Sequence, residues 1–370
     1  MTTTTKTQSR FDLRVEGRDR WELDLSRRIA DIDLRSPLAH PFQTEPFAAL
    51  FNTDPSRPHF AVLAEDGDGV AAYWWGYFAR YRERPRPRST AWVRSGPVIR
   101  ADLVDRRDHL LSLMLAELKR HVRQQGVGWV IFTTETHYGA ASEGVSLAQG
   151  FHRYDLQTYL LDLTPPEEEL WARLGQRARR AARRARDKGV AVEDAASDED
   201  VLSYYRLYLE TASVPEDRPP SEQMFLRGFQ RLREEDGARI IVAKHDGRMV
   251  AGSFFPCHAG LAAQHQTALD DEGRRLNAGS LLLWEAILSF KEAGFAALDL
   301  VSVEVAPPEG SREAGVRHFK GKWGGELLDT PVYQYWSLGL RVWRMIMSTL
   351  RRRKRAASPS RGESLAPEGG

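Results

Sequence analysis

Residues 60–78, FAVLAEDGDGVAAYWWGYF, decide the fold: two apolar stretches meet at Asp66-Gly67, a dipeptide that favours a tight turn, and so predict a β-hairpin. Residues 239–255, RIIVAKHDGRMVAGSFF, read the same way, with Asp246-Gly247 at the turn. Working outward, LLSLMLAELKRHVRQQG (110–126) has helical apolar spacing, stops at Gly126 and is followed by the short strand WVIF. The second half repeats that order in LLLWEAILSFKEAG (281–294), Gly294 and ALDLV. A third pair, SLAQGFHRYDLQTYLLDL (146–163) and HFKGKWGGELLDTPVYQYWSL (318–338), gives a short helix, a glycine with an aromatic, and a strand ending each unit. Three elements in one order, twice, predict a duplicated domain of ordinary size.

Composition fits that expectation. The chain has 370 residues, enough for more than one core. Hydrophobic residues make up 42% and charged residues 28%, which excludes a disordered or membrane-embedded chain. No apolar run reaches bilayer length and MTTTTKTQSR lacks a signal-peptide core, so a cytoplasmic protein is expected. The lone Cys257 excludes an internal disulfide framework and a multi-thiolate metal site, and reads as a small core residue. Lys and Arg total 53 against 51 Asp and Glu, so a net charge of +2 predicts no general attraction to nucleic acid or anionic lipid. Positive charge is instead concentrated between Arg173 and Lys188 and between Arg351 and Arg355.

Strands followed by strand, helix, strand, helix and strand predict an α/β (α+β) fold with mixed sheets, an order that resembles the GNAT acyltransferase fold. In such an order donor phosphates sit at a helix N-terminus, and the connections in question are RSGPVIRADLVD (94–105) and DDEGRRLNAGS (270–280), the latter lacking the usual spaced glycines. The expected organisation is a disordered N-terminus (1–20), a first GNAT-like domain (21–165), an Arg-rich connecting helix (166–189), a second GNAT-like domain (190–340), and a basic amphipathic segment with a disordered tail (341–370). On the connecting helix Arg173, Arg177, Arg180, Arg184 and Lys188 share a face, with Arg179, Arg183 and Arg186 on its flank. Such a face either pairs with carboxylates as a solvated linker or holds a polyanion such as a pyrophosphate or an RNA backbone.

The span from about His40 to Trp336 resembles the Fem family of peptidoglycan bridge-forming aminoacyltransferases, on SGPVI (95–99), RRAARRARDKGVAV (179–192), LLLWEAI with AGFAALDL (281–300) and HFKGKWGG (318–325). The resemblance implies transfer of an amino acid from aminoacyl-tRNA to an amine of a nucleotide- or lipid-linked peptidoglycan precursor, without a cofactor or metal. By motif it implies that Phe319 and Lys320 lie at the reaction centre, Lys320 placing charge near the developing oxyanion; Lys322 is close enough to be confused with it. It likewise implies that Arg180 and Arg183 contact phosphates, with Arg177, Arg184 and Lys188 following by helical face. In the loop SVPEDRPP (213–220), Arg218 is the basic residue available for the acceptor. The chain departs from members with a long helical arm, because residues 200–236 hold only two short helical patterns.

Asp299 ends a buried strand and is a candidate for orienting the amine, alongside a capping or salt-bridge role. His258, His265 and Cys257 have no metal-ligand spacing. The tail LRVWRMIMSTLRRRKR (340–355) suggests peripheral contact with the inner membrane surface. Two other readings remain open: an acyl-CoA-dependent N-acyltransferase on the same double fold, and an RNA- or DNA-binding protein using the arginine helix, with strongly salt-dependent binding.

Overall fold

The computed structural model describes residues 11–17, 28–29, 32, 36, 39–81, 88–134, 141–211 and 219–341. The first half runs β1 (Asp12–Gly17), α1 (Glu45–Phe51), β2 (Phe60–Asp66), β3 (Gly69–Tyr81), β4 (Arg88–Val93), β5 (Val98–Ile99), α2 (Arg107–Gln124), β6 (Trp129–Thr133), α3 (Ala141–Ala148), β7 (His152–Tyr154) and β8 (Leu156–Asp162). Two helices follow, the acidic α4 (Glu167–Arg173) and the arginine-rich α5 (Gln176–Asp187). The second half runs β9 (Ala191–Asp194), α6 (Asp198–Thr211), α7 (Glu222–Glu234), β10 (Ala238–His245), β11 (Arg248–His258), β12 (Leu261–Ala263), β13 (Thr267–Leu269), α8 (Asp271–Leu276), α9 (Ala278–Glu292), β14 (Ala297–Asp299), β15 (Val303–Glu304), α10 (Arg312–Lys320), β16 (Glu326–Asp329) and β17 (Val332–Trp336).

Both hairpins form. In the second, His245 pairs with Arg248, leaving Asp246 and Gly247 as a two-residue turn with φ of 50° and 76°, the left-handed pair that matches strand twist. In the first, Asp66 pairs with Gly69, so the turn falls one residue later than the Asp-Gly dipeptide, on Gly67 and Asp68. Each half has one parallel pairing, β4 with β6 and β12 with β14, joined across a long helix (α2 or α9); the other pairings are antiparallel. The result is two mixed sheets covered by helices, the tandem GNAT-like architecture.

Three features depart from the sequence expectation. Asp12–Gly17, within the stretch expected to be disordered, is an edge strand on β2: Phe11 is buried, Leu13 and Val15 pack on the first core, and Arg14 pairs with Glu65. The connecting helix is two helices, because Leu174 and Gly175 are extended (ψ 137° and 143°) and the Gly175 N–H donates to the Lys322 carbonyl at 2.8 Å instead of to a helical partner. Finally, the terminal strands are exchanged. β8, which ends the first repeat, lies in the second sheet against β14, β15 and β16, while β17, which ends the second repeat, lies in the first sheet between β6 and β7.

Besides a first core under the β1–β6 sheet and a second core around α5 and α9, the halves share a third apolar cluster. Phe42, Phe47 and Leu50 from the first pack in the same apolar cluster as Phe225, Phe229 and Phe254 from the second. At its edge the Glu45 carboxylate accepts from His59 at 2.6 Å and pairs with Arg231 of α7. Burial opposes that charge, but His59 and Arg231 prevail and hold the carboxyl below its ordinary range.

Candidate active site

α10 and the turn after it send neighbouring side chains in different directions. Phe319 and Lys322 face a cleft of about 450 Å³, and Trp323 is buried in the second core with its ring 5.8 Å from that of Phe319. Lys322 lies over the Phe319 ring at 5.1 Å. Burial first, and the neighbouring Arg177 second, lower the pKa of Lys322. The opposite wall of the cleft is α5, with Arg177, Arg180 and Arg184, and its floor includes Gly273, Arg274, Asn277, Gly279 and Ser280. Asn277 takes φ 61°, the left-handed conformation that a glycine usually supplies, and so separates α8 from α9. The first amides of α9 have no partner within the helix, and with the helix dipole they make the floor a place for an anion.

The alanines of α5 explain why its arginines face outward: Ala178, Ala182 and Ala185 are buried against the second core, leaving the remaining positions to charge. The arginines do different things. Arg183 lies over the Trp171 ring at 5.2 Å, Arg179 donates to the carbonyls of Trp171 and Ala172, and Arg186 pairs with Glu285. Lys188 caps the end of α5 and is not among the lining residues. Thus Arg177, Arg180, Arg184 and Phe319 converge on one cleft, while Arg183 and Lys188 do not line it. Arg218 and the tail beyond Arg341 lie outside the described residues.

The Lys320 ammonium turns away from Lys322 and donates to the carbonyls of Val301 and Ser302, both at 3.3 Å. Burial pulls its pKa down to about 8, against the opposite influence of Asp299. Asp299 is 2% exposed. Its Oδ1 accepts from Thr158 Oγ1, carried in by the exchanged strand β8, and from Val301 N at 2.6 Å. Its Oδ2 faces His40 Nε2 of the first half at 3.6 Å. Burial works against this carboxylate, yet the His40 imidazole, Thr158 and Val301 N keep its pKa below the ordinary value. Val301 has φ 59°, a strained conformation for a β-branched residue.

The sequence reading missed His40, Thr158 and Ser95, which belong to this cluster only through tertiary folding. Ser95 carried one signal, the turn-forming Ser-Gly-Pro at 95–97; in the structure Ser95 and Gly96 both have positive φ (64° and 70°). Cys257 is buried, and burial pushes its thiol up to about 12, consistent with a core residue.

Gly273 is held where no side chain fits: a Cβ there would lie 2.3 Å from the Val250 carbonyl oxygen and 2.9 Å from Leu269 Cδ1. Gly273→Ala is expected to cost about 1–3 kcal/mol of stability by overpacking, measured by urea denaturation.

Known proteins share this fold. Residues 172–313 match the acetyltransferase (GNAT) domain family model. Among solved structures the chain is similar to FemX (TM-score 0.66, 13% identity, covering 86% of this chain and 98% of that one). It is also similar to a tandem GNAT protein from the clavulanic acid biosynthesis pathway (TM-score 0.55, 14% identity, 88% and 98%). A third is the C-terminal domain of a putative lysylphosphatidylglycerol synthetase from Agrobacterium fabrum (TM-score 0.53, 12% identity, 87% and 97%). No curated protein matches the sequence significantly. The chain therefore has the GNAT fold and carries a GNAT-type acyltransferase domain at residues 172–313. Its two units are arranged in the Fem-like tandem. Among the described residues no helix is long and apolar enough to cross a membrane.

Proposed function

We propose that the protein transfers an aminoacyl group from aminoacyl-tRNA to an amine of a peptidoglycan precursor. The observation that carries this reading is the convergence of Arg177, Arg180, Arg184, Lys322, Phe319 and the α9 N-terminus on one cleft, with Lys320 following Phe319 directly in the chain. Three guanidiniums and free helix amides suit the phosphates near the acyl end of a nucleotide-linked donor. Aminolysis of an ester needs an unprotonated amine and a cation near the oxyanion, but no protein nucleophile. Two donors of the Lys320 ammonium are taken by backbone carbonyls, which leaves a third for the developing charge. The precursor, nucleotide- or lipid-linked, would bring the amine to this centre, and the resemblance of the sequence motifs to the Fem family supports that acceptor class.

A second reading, an acyl-CoA donor, is favoured by one observation: Asn277 builds a left-handed turn before α9 although the spaced glycines of a pyrophosphate loop are absent. The deciding experiment offers total charged tRNA and acetyl-CoA in parallel with purified precursors. Transfer from tRNA alone supports the first reading, and transfer from the thioester alone replaces it. With the active donor, Arg180→Ala is expected to raise donor KM about 10- to 100-fold while changing kcat little, because a lost charge-assisted contact to phosphate is worth roughly 1.5–3 kcal/mol. An unchanged KM would remove the cleft from donor binding.

A further inference from the structure

The lining residues of the cleft run from Arg177 to Lys322, so the first half of the chain contributes none of them. Yet it sends a buried histidine to the carboxylate behind Lys320. We propose that His40 and Asp299 act as a relay of positioning residues, through which the first unit sets the place and charge environment of Lys320 in the second.

The geometry runs in three steps. His40 is 1% exposed, and its Nδ1 accepts from Phe42 N at 3.3 Å, with Ser95 Oγ at 3.2 Å on the same nitrogen. An accepting Nδ1 leaves Nε2 to carry the ring hydrogen, and Nε2 faces Asp299 Oδ2 at 3.6 Å. That separation is slightly long for a hydrogen bond and leaves room for closure when substrate tightens the site. Asp299 Oδ1 in turn holds Val301 N at 2.6 Å. This bond fixes Val301 in its left-handed conformation, which directs the carbonyls of Val301 and Ser302 to the Lys320 ammonium.

Three further groups complete the surroundings. His265, in the connection from β12 to β13, is part-buried, and desolvation of its ring drives its pKa well below the ordinary value, with Arg94 and Lys320 adding to the effect. Its ring sits among Phe42, Phe47, Phe51 and Phe254. Arg94, before the Ser95 turn, lies over Phe42 at 5.1 Å and Trp92 at 5.2 Å. Thr158 donates to Asp299 from β8. Asp299 is thus the anionic group facing Lys320, and His40 is what the first unit sets against it.

This inference rests on Lys320 being the working lysine of the proposed reaction, and its test is readable without that reaction. Trace isotopic acetic anhydride labels lysines according to their unprotonated fraction, and mass spectrometry of the Lys320 peptide across pH gives its midpoint. Wild type is expected to titrate at about 8. Asp299→Asn, close in shape, removes the favourable charge and should lower the midpoint by roughly one unit. His40→Ala should shift it in the same direction, because a carboxyl without its donor takes up a proton more readily. His40→Gln, which restores an N–H, should stay near wild type. In the transfer assay Asp299→Asn and His40→Ala should lower kcat tenfold or more, with donor KM unchanged.

A wild-type midpoint in Asp299→Asn, or His40→Gln behaving like His40→Ala, would overturn the relay. So would midpoint shifts seen only in variants whose thermal unfolding temperature has collapsed. If no donor supports transfer, the labelling midpoints still decide the relay, while the proposed function fails by itself.

Discussion

Lys320→Met is expected to lower kcat about 10²- to 10³-fold with either donor while making the folded protein more stable at neutral pH. The catalytic part follows from the loss of a preorganised cation beside a developing oxyanion. Its ammonium is already held by two carbonyls and an anionic neighbour, so little reorganisation is needed when negative charge appears. Methionine keeps the length of the stem and its packing beside Phe319 but supplies no donor.

The stability part follows from burial, which depresses the folded pKa of Lys320 to about 8 from an ordinary 10.5. Below pH 8 the amine is protonated in folded and unfolded chains alike, and the fold bears the full cost of the buried charge. Between about 8 and 10.5 the unfolded state binds more protons, so wild-type stability rises with pH through that window and the cost is gone above it. Lys320→Met should therefore be more stable than wild type by about 3 kcal/mol at pH 7, with the difference closing as pH rises towards 10.5. Urea denaturation at several pH values measures it. A destabilised, fully active variant would make Lys320 a packing residue, whereas a stable and inactive one has the signature of a group kept for function at the expense of the fold.

How much of this was readable depends on whether a feature is local. The Asp-Gly hairpins, the helices ending at Gly126 and Gly294, and the strands after them announce themselves through turn chemistry and periodicity, and each is present. The arginine face was equally visible, but its division was not. Which arginine meets the cleft depends on where Ala178, Ala182 and Ala185 seat the helix, and the break at Gly175 depends on a carbonyl of Lys322 distant in sequence. Asn277 takes a left-handed conformation that glycine usually marks, so the turn it builds has no glycine to signal it in the sequence. The meeting of His40 with Asp299 has no local sign at all, since a buried histidine and a strand-ending aspartate acquire their pairing only when two units dock.

Cutting the chain at the sequence boundary between Pro165 and Pro166 is expected to leave neither half able to fold. A duplicated domain whose repeats can be aligned end to end suggests that residues 1–165 should stand alone, but the exchanged strands forbid it. Without β17, the apolar strand β6 becomes an open edge and β7 loses its pairing partner. Tyr333, 1% exposed, would also leave the face of Phe132, where the rings stack at 4.8 Å. The second half suffers the reciprocal loss: without β8, strands β15 and β16 have no partner, β14 is an edge, and Asp299 loses Thr158. Local pattern could not forecast this, because LQTYLLD and VYQYW carry similar strand signals and nothing within either says which sheet it joins. Each half expressed alone should show the collapsed near-ultraviolet dichroism and aggregation of an exposed edge, and co-expression of the two halves should restore a folded complex. A cooperatively unfolding first half on its own would mean that β8 can return to the sheet of its own repeat.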